Sequence, residues 1–167
     1  MSDVPLKPEA GEIRDGVHLL PLRVYYEDTD VGGIVYYANY LKFMERGRSD
    51  MIRLCGIDQT ALLAGGDSGE GLMFAVRHCA VDYLKPARFD DEIIVRTWLR
   101  EMTGATLTMI QEIRRGGDLL VTASVTAAVL SRGGRPRRLP SKIRHILAAI
   151  VCLGDMSEGQ DDSHGKS

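Results

Sequence analysis

Residues 23–40 read RVYYEDTDVGGIVYYANY and join two segments with different hydrophobic periods. On the N-terminal side, residues 18–27 place apolar side chains at alternate positions, as in a half-buried strand. On the C-terminal side, apolar residues recur every three or four positions from Val35 to Cys55, and Gly56 supplies a left-handed stop. The stretch therefore predicts a strand, an acidic glycine-containing loop, and a helix of roughly five turns.

Downstream of this helix the chain alternates strand patterns with turn signals. A short helix capped by Asp58 is predicted to reach Ala64, and residues 65–71 form a loop. Four strands are predicted at 72–84, 91–102, 105–115 and 119–131, followed by an amphipathic helix at 141–153. Consecutive strands with short connections predict an antiparallel meander, and one long helix can cover only one of its faces. The predicted class is α+β, with the sheet wrapped around the long helix.

Length and composition predict one folded domain with short tails. The chain has 167 residues, so we expect a flexible tail at 1–17, a domain at 18–153 and a disordered tail at 154–167. A net charge of −2 argues against general affinity for nucleic acid or anionic membranes. The sequence has no long apolar run and no secretory leader pattern. We therefore expect a cytoplasmic location and no insertion into a membrane. The three cysteines lie in apolar contexts, which predicts small buried thiols.

The acidic loop allows two readings once metal sites are tested. A calcium loop counted from Asp28 fails, because its fifth and twelfth positions are Gly32 and Asn39, and no zinc ligand set is nearby. The sequence therefore predicts neither metal nor cofactor. In a structural reading, the acids stabilise the helix N-terminus and the glycines turn the chain. In a chemical reading, Gly32 and Gly33 expose N–H groups to an oxyanion while an aspartate acts as base or nucleophile. The residues alone leave both open.

The same stretch resembles the signature of the 4-hydroxybenzoyl-CoA thioesterase-like family. It is most similar to the YbgC-type branch, acyl-CoA thioesterases associated with the Tol–Pal system. The resemblance continues through FMER at 43–46, VDYLKPARFDD at 81–91 and RPRRLP at 135–140. It implies the hotdog fold and hydrolysis of an acyl-CoA thioester to a free acid and CoA.

The resemblance also implies roles for two residues of the loop. Asp30 matches the catalytic carboxylate, and Tyr37 matches the residue whose backbone N–H polarises the thioester carbonyl. Many YbgC-type members have His at the second position, so the Tyr of this chain argues against a mechanism that needs imidazole there, but not against one that uses the backbone donor. We interpret Glu27 and Asp28 as solvated or capping groups rather than catalysts.

Basic residues outside the loop are the predicted contacts for the substrate carrier. Lys85 and Arg88 lie in KPAR, and Arg137 and Arg138 belong to a segment, residues 132–145, that has no acid. Arginines suit the phosphates of CoA, and an acidic acyl carrier protein would suit the same segment. An exposed sheet edge predicts a homodimer at least, and the resemblance implies pairing of dimers into a tetramer.

Two other functions remain open on the sequence. A hotdog dehydratase would use a His near the central helix. No further His occurs between His18 and His78, which argues against this function. A non-catalytic module that binds acyl groups, CoA or acyl carrier protein is the other alternative.

Overall fold

The computed structural model describes residues 6–66 and 69–158, with side chains described through residue 151. Its elements, in chain order, are β1 (Glu12–Arg14), β2 (Val17–Arg23), a 3-10 turn (Tyr26–Asp28), α1 (Asn39–Leu54), α2 (Gln59–Ala64), β3 (Leu72–Tyr83), β4 (Glu92–Met102), β5 (Thr106–Arg115), β6 (Asp118–Ser131) and α3 (Ser141–Glu158). This is the predicted α+β composition. None of the helices in the described ranges is long and apolar enough to cross a bilayer.

Both ends of the domain differ from the predicted boundaries. β1 lies inside the segment assigned to the N-terminal tail and pairs with β2 through an Asp15-Gly16 turn, both residues having positive φ. Asp-Gly is a strong two-residue hairpin signal, but three residues are too few to show alternation. At the other end, α3 continues past residue 153 to Glu158. Residues 1–5 and 159–167 of the predicted tails lie outside the described ranges.

The strands form one antiparallel sheet in the order β1-β2-β4-β5-β6-β3. The predicted four-strand meander is wrong, because only β4, β5 and β6 are consecutive neighbours. β3 instead pairs with β6 along its whole length and forms the far edge of the sheet.

The connection from β3 to β4 explains this order. Leu84 N–H donates to Leu120 O at the start of β6, whereas Asp90 N–H donates to Val24 O just after β2. Residues 84–91 therefore cross from one edge of the sheet to the opposite half. On the way they pass the start of α1, where Val35 N–H donates to Ala87 O at 2.9 Å.

α1 packs its apolar face against the inner face of the sheet, as predicted. Tyr40, Met44 and Ile52 are all buried. Gly47 lies at the closest approach, where an added Cβ would be 2.9 Å from both Thr97 Oγ1 and Val95 Cγ1. The helical pattern also assigned Leu41 and Tyr37 to the apolar face, but Leu41 is exposed on α1 and Tyr37 is exposed just before the helix.

Candidate active site

The acidic loop folds back on itself as a small hairpin, residues 28–36. Asp30 N–H donates to Ile34 O at 2.9 Å, and Tyr36 N–H donates to Asp28 O at 3.0 Å. Between these bonds Thr29 and Val35 form an isolated antiparallel bridge. Gly33 closes the tip with φ of +75°, a conformation that favours glycine. The hairpin holds Asp30 at its tip, ahead of α1.

Asp30 is exposed, and one of its carboxylate oxygens is fixed. Asp30 Oδ1 accepts from Gly32 N–H at 2.8 Å, and Asp30 O accepts from Gly33 N–H at 3.0 Å. Both glycine N–H groups are thus used inside the turn, which differs from the expectation that they face an oxyanion. A Cβ on Gly32 would lie 3.1 Å from Asp30 Oδ1, so its absence lets the backbone approach the carboxylate. Within residues 6–66 and 69–158, Asp30 Oδ2 has no hydrogen-bond partner.

The backbone N–H of Tyr37 lies between the hairpin and α1 and is a donor without an acceptor among the described residues. α1 begins at Asn39 rather than at Val35, because Val35 is extended and bonded to Ala87. Tyr37 therefore lies just before the helix, with Tyr83 Oη donating to its carbonyl at 3.3 Å. No acceptor for Tyr37 N–H occurs among the described residues. The site combines a free carboxylate oxygen with a free N–H near the positive end of a helix.

Asp28 has the capping role predicted for it. Its side chain is buried, and Oδ2 accepts from Tyr25 N–H at 2.8 Å. Its carbonyl also accepts from Asn39 Nδ2 at 2.9 Å, which ties the hairpin to the first residue of α1. Through Oδ2 and its carbonyl oxygen, Asp28 therefore holds the loop that carries Asp30 in place.

The backbone of the KPAR segment, residues 85–88, lies against the hairpin. Ile34 and Arg88 form a bridge, and the buried Tyr40 Oη accepts from Ala87 N–H at 2.9 Å. Burial raises the pKa of Tyr40, which keeps this hydroxyl neutral. The Arg88 side chain is exposed beside the site. Lys85 is 2.8 Å from Asp118 in an exposed ion pair.

Asp91 fixes the end of this segment through two hydrogen bonds. Asp91 Oδ2 accepts from Arg88 N–H at 2.8 Å and from Arg115 at 2.7 Å. Burial opposes ionisation of Asp91, but the bonds from Arg115 and Arg88 outweigh it and leave its pKa below the ordinary value. The segment is therefore held rigidly next to Asp30 by groups that do not themselves face the site.

Arg137 and Arg138 do not join these residues within one chain. Arg137 N–H donates to Val129 O, eight residues along β6 from Val121, which pairs with Tyr83. At a rise of about 3.3 Å per residue this is about 26 Å from the Tyr37 end of the sheet. Arg137 also forms a two-bond ion pair with Glu70, at 2.9 and 3.0 Å.

Sequence reasoning missed an aromatic cluster around the site. The Tyr37 ring lies 4.9 Å from that of Tyr36 and 6.1 Å from that of Tyr83, which also contacts Tyr40 at 5.7 Å. Large apolar side chains near the hairpin are exposed: Tyr25, Tyr26, Val31, Tyr36, Tyr37, Tyr83, Leu84 and Phe89. The alternation of β3, ending in VDY, was the available signal that Tyr83 shares a face with Val81. Within residues 6–66 and 69–158, no three His, Cys, Asp or Glu side chains group as metal ligands.

Comparison with known proteins places the chain among thioesterases. Residues 32–122 match the model of the thioesterase superfamily. An acyl-CoA thioesterase YbgC of Haemophilus influenzae is 38% identical over 125 residues, covering 74% of this chain and 89% of that protein. An acyl-CoA thioester hydrolase YbgC of Escherichia coli O6:H1 is 39% identical over 125 residues, covering 74% and 90%.

Solved structures share the fold. A probable thioesterase from Bartonella henselae superposes with a TM-score of 0.71 at 44% identity, covering 74% of this chain and 99% of that one. A 1,4-dihydroxy-2-naphthoyl-CoA thioesterase from Synechocystis superposes with a TM-score of 0.69 at 18% identity, covering 89% and 99%, and bears on the fold alone. These neighbours confirm the hotdog fold that the sequence resemblance implied.

Proposed function

The chain belongs to the thioesterase superfamily and is a thioester hydrolase, and on that premise we propose that its substrates are acyl-CoA thioesters. The products are a free acid and CoA. Asp30 and the backbone N–H of Tyr37 are the proposed catalytic groups. One observation carries the assignment: the 28–36 hairpin leaves both Asp30 Oδ2 and Tyr37 N–H without partners among the described residues.

The reaction follows from these two groups. Tyr37 N–H donates to the thioester oxygen and takes up the charge that develops there. Asp30 Oδ2 accepts a proton from a water whose oxygen attacks the carbonyl carbon, and collapse of the tetrahedral intermediate breaks the C–S bond. The CoA thiolate leaves and is protonated, and the acyl group departs as the acid. In the alternative, Oδ2 itself attacks, and water then hydrolyses the resulting anhydride.

The position of β3 supports a homodimer as the unit that binds CoA. β3 is an edge strand bonded only to β6, and its residues 77–80 are exposed. Such an edge is open to pairing with a second copy. A two-fold axis perpendicular to the sheet pairs the two β3 strands antiparallel, because a rotation about such an axis reverses the direction of the strand. The Leu72 end of one copy then lies beside the Tyr83 end of the other.

This pairing gives the distant arginines a role. Arg137 and Arg138 flank the Leu72 end of the sheet, so in the dimer they approach the other copy's Tyr37. Arg138 has no ion pair among the described residues, whereas Arg137 is engaged by Glu70. We assign the CoA phosphates to Arg138 and to Arg88 of the other copy. The same basic surface suits an acidic acyl carrier protein.

Asp30→Asn tests the catalytic assignment. Asn keeps an oxygen to accept from Gly32 N–H but removes the charge, so we expect kcat to fall roughly 10²- to 10⁴-fold with the fold unchanged. Glu27→Gln, which removes an exposed charge three residues away, should leave kcat within error. The measurement is release of free thiol from octanoyl-CoA. Near wild-type turnover by Asp30→Asn would reject the mechanism, and a folded wild type that hydrolyses no thioester would favour the non-catalytic binding module.

A further inference from the structure

Arg48 is a half-buried cation on α1 with no carboxylate partner in the described part of the chain. Its Nη1 donates at 2.9 Å to Oε1 of Gln111, a fully buried side chain. Gln111 is itself fixed, since its Nε2 donates to Met44 O and Thr97 Oγ1, both at 2.8 Å. No ion pair or second hydrogen bond to the Arg48 guanidinium occurs in residues 6–66 and 69–158. Its remaining N–H groups are available to a ligand.

Arg48 contributes to the wall of a small, largely apolar cavity. The cavity has a volume of about 130 Å³ and lies between α1, α2 and the sheet; its apolar lining is Ile52, Phe74, Val76, Leu107, Met109 and Ala127. An apolar cavity of about 150 Å³ accepts a molecule the size of benzene. This cavity therefore has room for the end of an acyl chain. Burial also lowers the pKa of Arg48, which reflects the cost of keeping an unpaired cation at this depth.

One flank of α1 connects the residues ahead of the helix with this cavity. Leu41, Glu45 and Arg48 recur on this flank at intervals of three and four residues, and Glu45 and Arg48 line the cavity. Tyr37 lies two residues before α1, and its ring contacts that of Tyr83 at the end of β3. Arg48 is nine residues beyond Asn39, the first residue of α1, or about 14 Å along the helix axis at 1.5 Å per residue. Helical side chains lean toward the N-terminus, which shortens the distance that an acyl chain must span.

We propose that Arg48 binds a carboxylate at the far end of the acyl chain, so that the enzyme prefers ω-carboxyacyl thioesters to simple fatty acyl thioesters. This inference rests on the proposed thioesterase function and specifies its substrate class. A guanidinium holds a carboxylate through two parallel hydrogen bonds, a geometry unavailable with the single amide oxygen of Gln111. A methyl-terminated chain would fill the same cavity and leave the cation with that neutral partner alone.

Glu45 is the charged neighbour that opposes this binding. It lines the same cavity, is exposed, and accepts a hydrogen bond from the Ser49 hydroxyl one turn away. Its charge attracts Arg48 without forming an ion pair within 4 Å. Because Glu45 faces water, its repulsion of a bound carboxylate is screened, whereas the attraction by half-buried Arg48 is screened less. Removing the Glu45 charge should therefore increase the preference for carboxylate.

The test compares matched substrates that differ only at the chain end: hexanoyl-CoA with adipoyl-CoA, octanoyl-CoA with suberoyl-CoA, and decanoyl-CoA with sebacoyl-CoA. For the best-fitting length, wild-type kcat/KM should favour the carboxylate roughly 10- to 100-fold, the range expected of charge-assisted hydrogen bonds. Arg48→Met should abolish the preference while retaining hydrolysis of the fatty acyl member. Arg48→Lys should keep part of it, and Glu45→Gln should raise it severalfold. Arg46→Met, on the same helix but outside the cavity, should not change it.

Several outcomes would overturn the inference. They are a wild type with no preference at any chain length, or an Arg48→Met variant that loses both members of a pair equally. If Arg48→Met does not fold, Arg48→Lys serves instead. The inference is then rejected if this variant keeps the full wild-type preference or loses activity equally on both members of a pair. Absence of turnover with every thioester would instead reject the proposed function.

Discussion

The Gly47→Ala substitution measures how closely α1 approaches the sheet. In an exposed helix, replacing Gly by Ala stabilises by about 1 kcal/mol. At Gly47 the new methyl group would lie 2.9 Å from Thr97 Oγ1 and Val95 Cγ1, and 3.4 Å from Gln111 Nε2. Thr and Val side chains are stiff at χ1 and both are fully buried, so the helix must move outward. Such overpacking costs about 1–3 kcal/mol.

The expected net effect is a loss of about 1–2 kcal/mol in the free energy of unfolding, since the packing cost exceeds the gain in helix propensity. Chemical denaturation at one fixed protein concentration measures it, because a dimer's stability depends on concentration. Gly117→Ala is the control: no atom lies within 4 Å of its added Cβ, and we expect a change within about 0.5 kcal/mol.

A second variant tests the stated cause. Val95→Ala removes the Cγ1 atom that the new methyl group meets, so Gly47→Ala should cost less in the Val95→Ala background than alone. Contacting residues show coupling of about 0.5–3 kcal/mol, and this pair should fall in that range. Stabilisation by Gly47→Ala in the wild-type background, or strict additivity of the two changes, would refute the close-approach argument.

Two further predictions concern charge. Asp50 is a partly buried residue that contacts the buried His18. Burial opposes its ionisation, but hydrogen bonds from His18 at 2.8 Å, from Gly11 N–H at 2.8 Å and from Arg53 leave its pKa below the ordinary value. Its stabilising contribution is therefore present above about pH 4 and lost as the pH falls through the lowered pKa, so Asp50→Asn should reduce stability at neutral pH and flatten its acid dependence, which denaturation at a series of pH values would show. Arg138→Ala should raise KM for acyl-CoA severalfold but not for an N-acetylcysteamine thioester, which lacks phosphates; equal effects on both would rule out a phosphate contact.

The sequence predicted the elements well because periodicity reports burial directly. The limits of α2 match, and those of β3 to β6 agree to within one residue. β4, β5 and β6 alternate between a core face and an outer face, whereas residues 76–80 of β3 are all exposed. Strand partners cannot be predicted in this way, because periodicity indicates which face of a strand is buried but not which strand lies beside it. The decisive feature was the 84–91 segment, whose bonds to Val35 and Val24 carry the chain across the sheet. The turn signals of this eight-residue connection predict a turn, whereas the structure shows a crossover.

At the candidate site, the sequence identified residue types but not their hydrogen bonds. An acidic loop before a helix indicated Asp30. The sequence interpretation assigned the N–H groups of Gly32 and Gly33 to an oxyanion, whereas in the structure both donate to Asp30. Arg48 was read only as part of a helix, since nothing in its neighbours along the chain shows that a buried amide 63 residues away is its partner. Contacts of this kind depend on sheet register.

The exposed apolar surface around Asp30 shows which parts of the loop folding alone does not explain. The hairpin is fixed from within by buried Asp28, Val35 and Tyr40, so its inner side suffices for its conformation. Val31 and Tyr26 point outward and are almost fully exposed. Clusters of exposed apolar side chains mark surfaces that bind a ligand or a partner, and this cluster lies on the hairpin that carries Asp30. We expect the substrate, and a second copy of the chain paired at β3, to cover this apolar surface. The inner side of the loop would then serve folding, and its outer side the proposed catalysis.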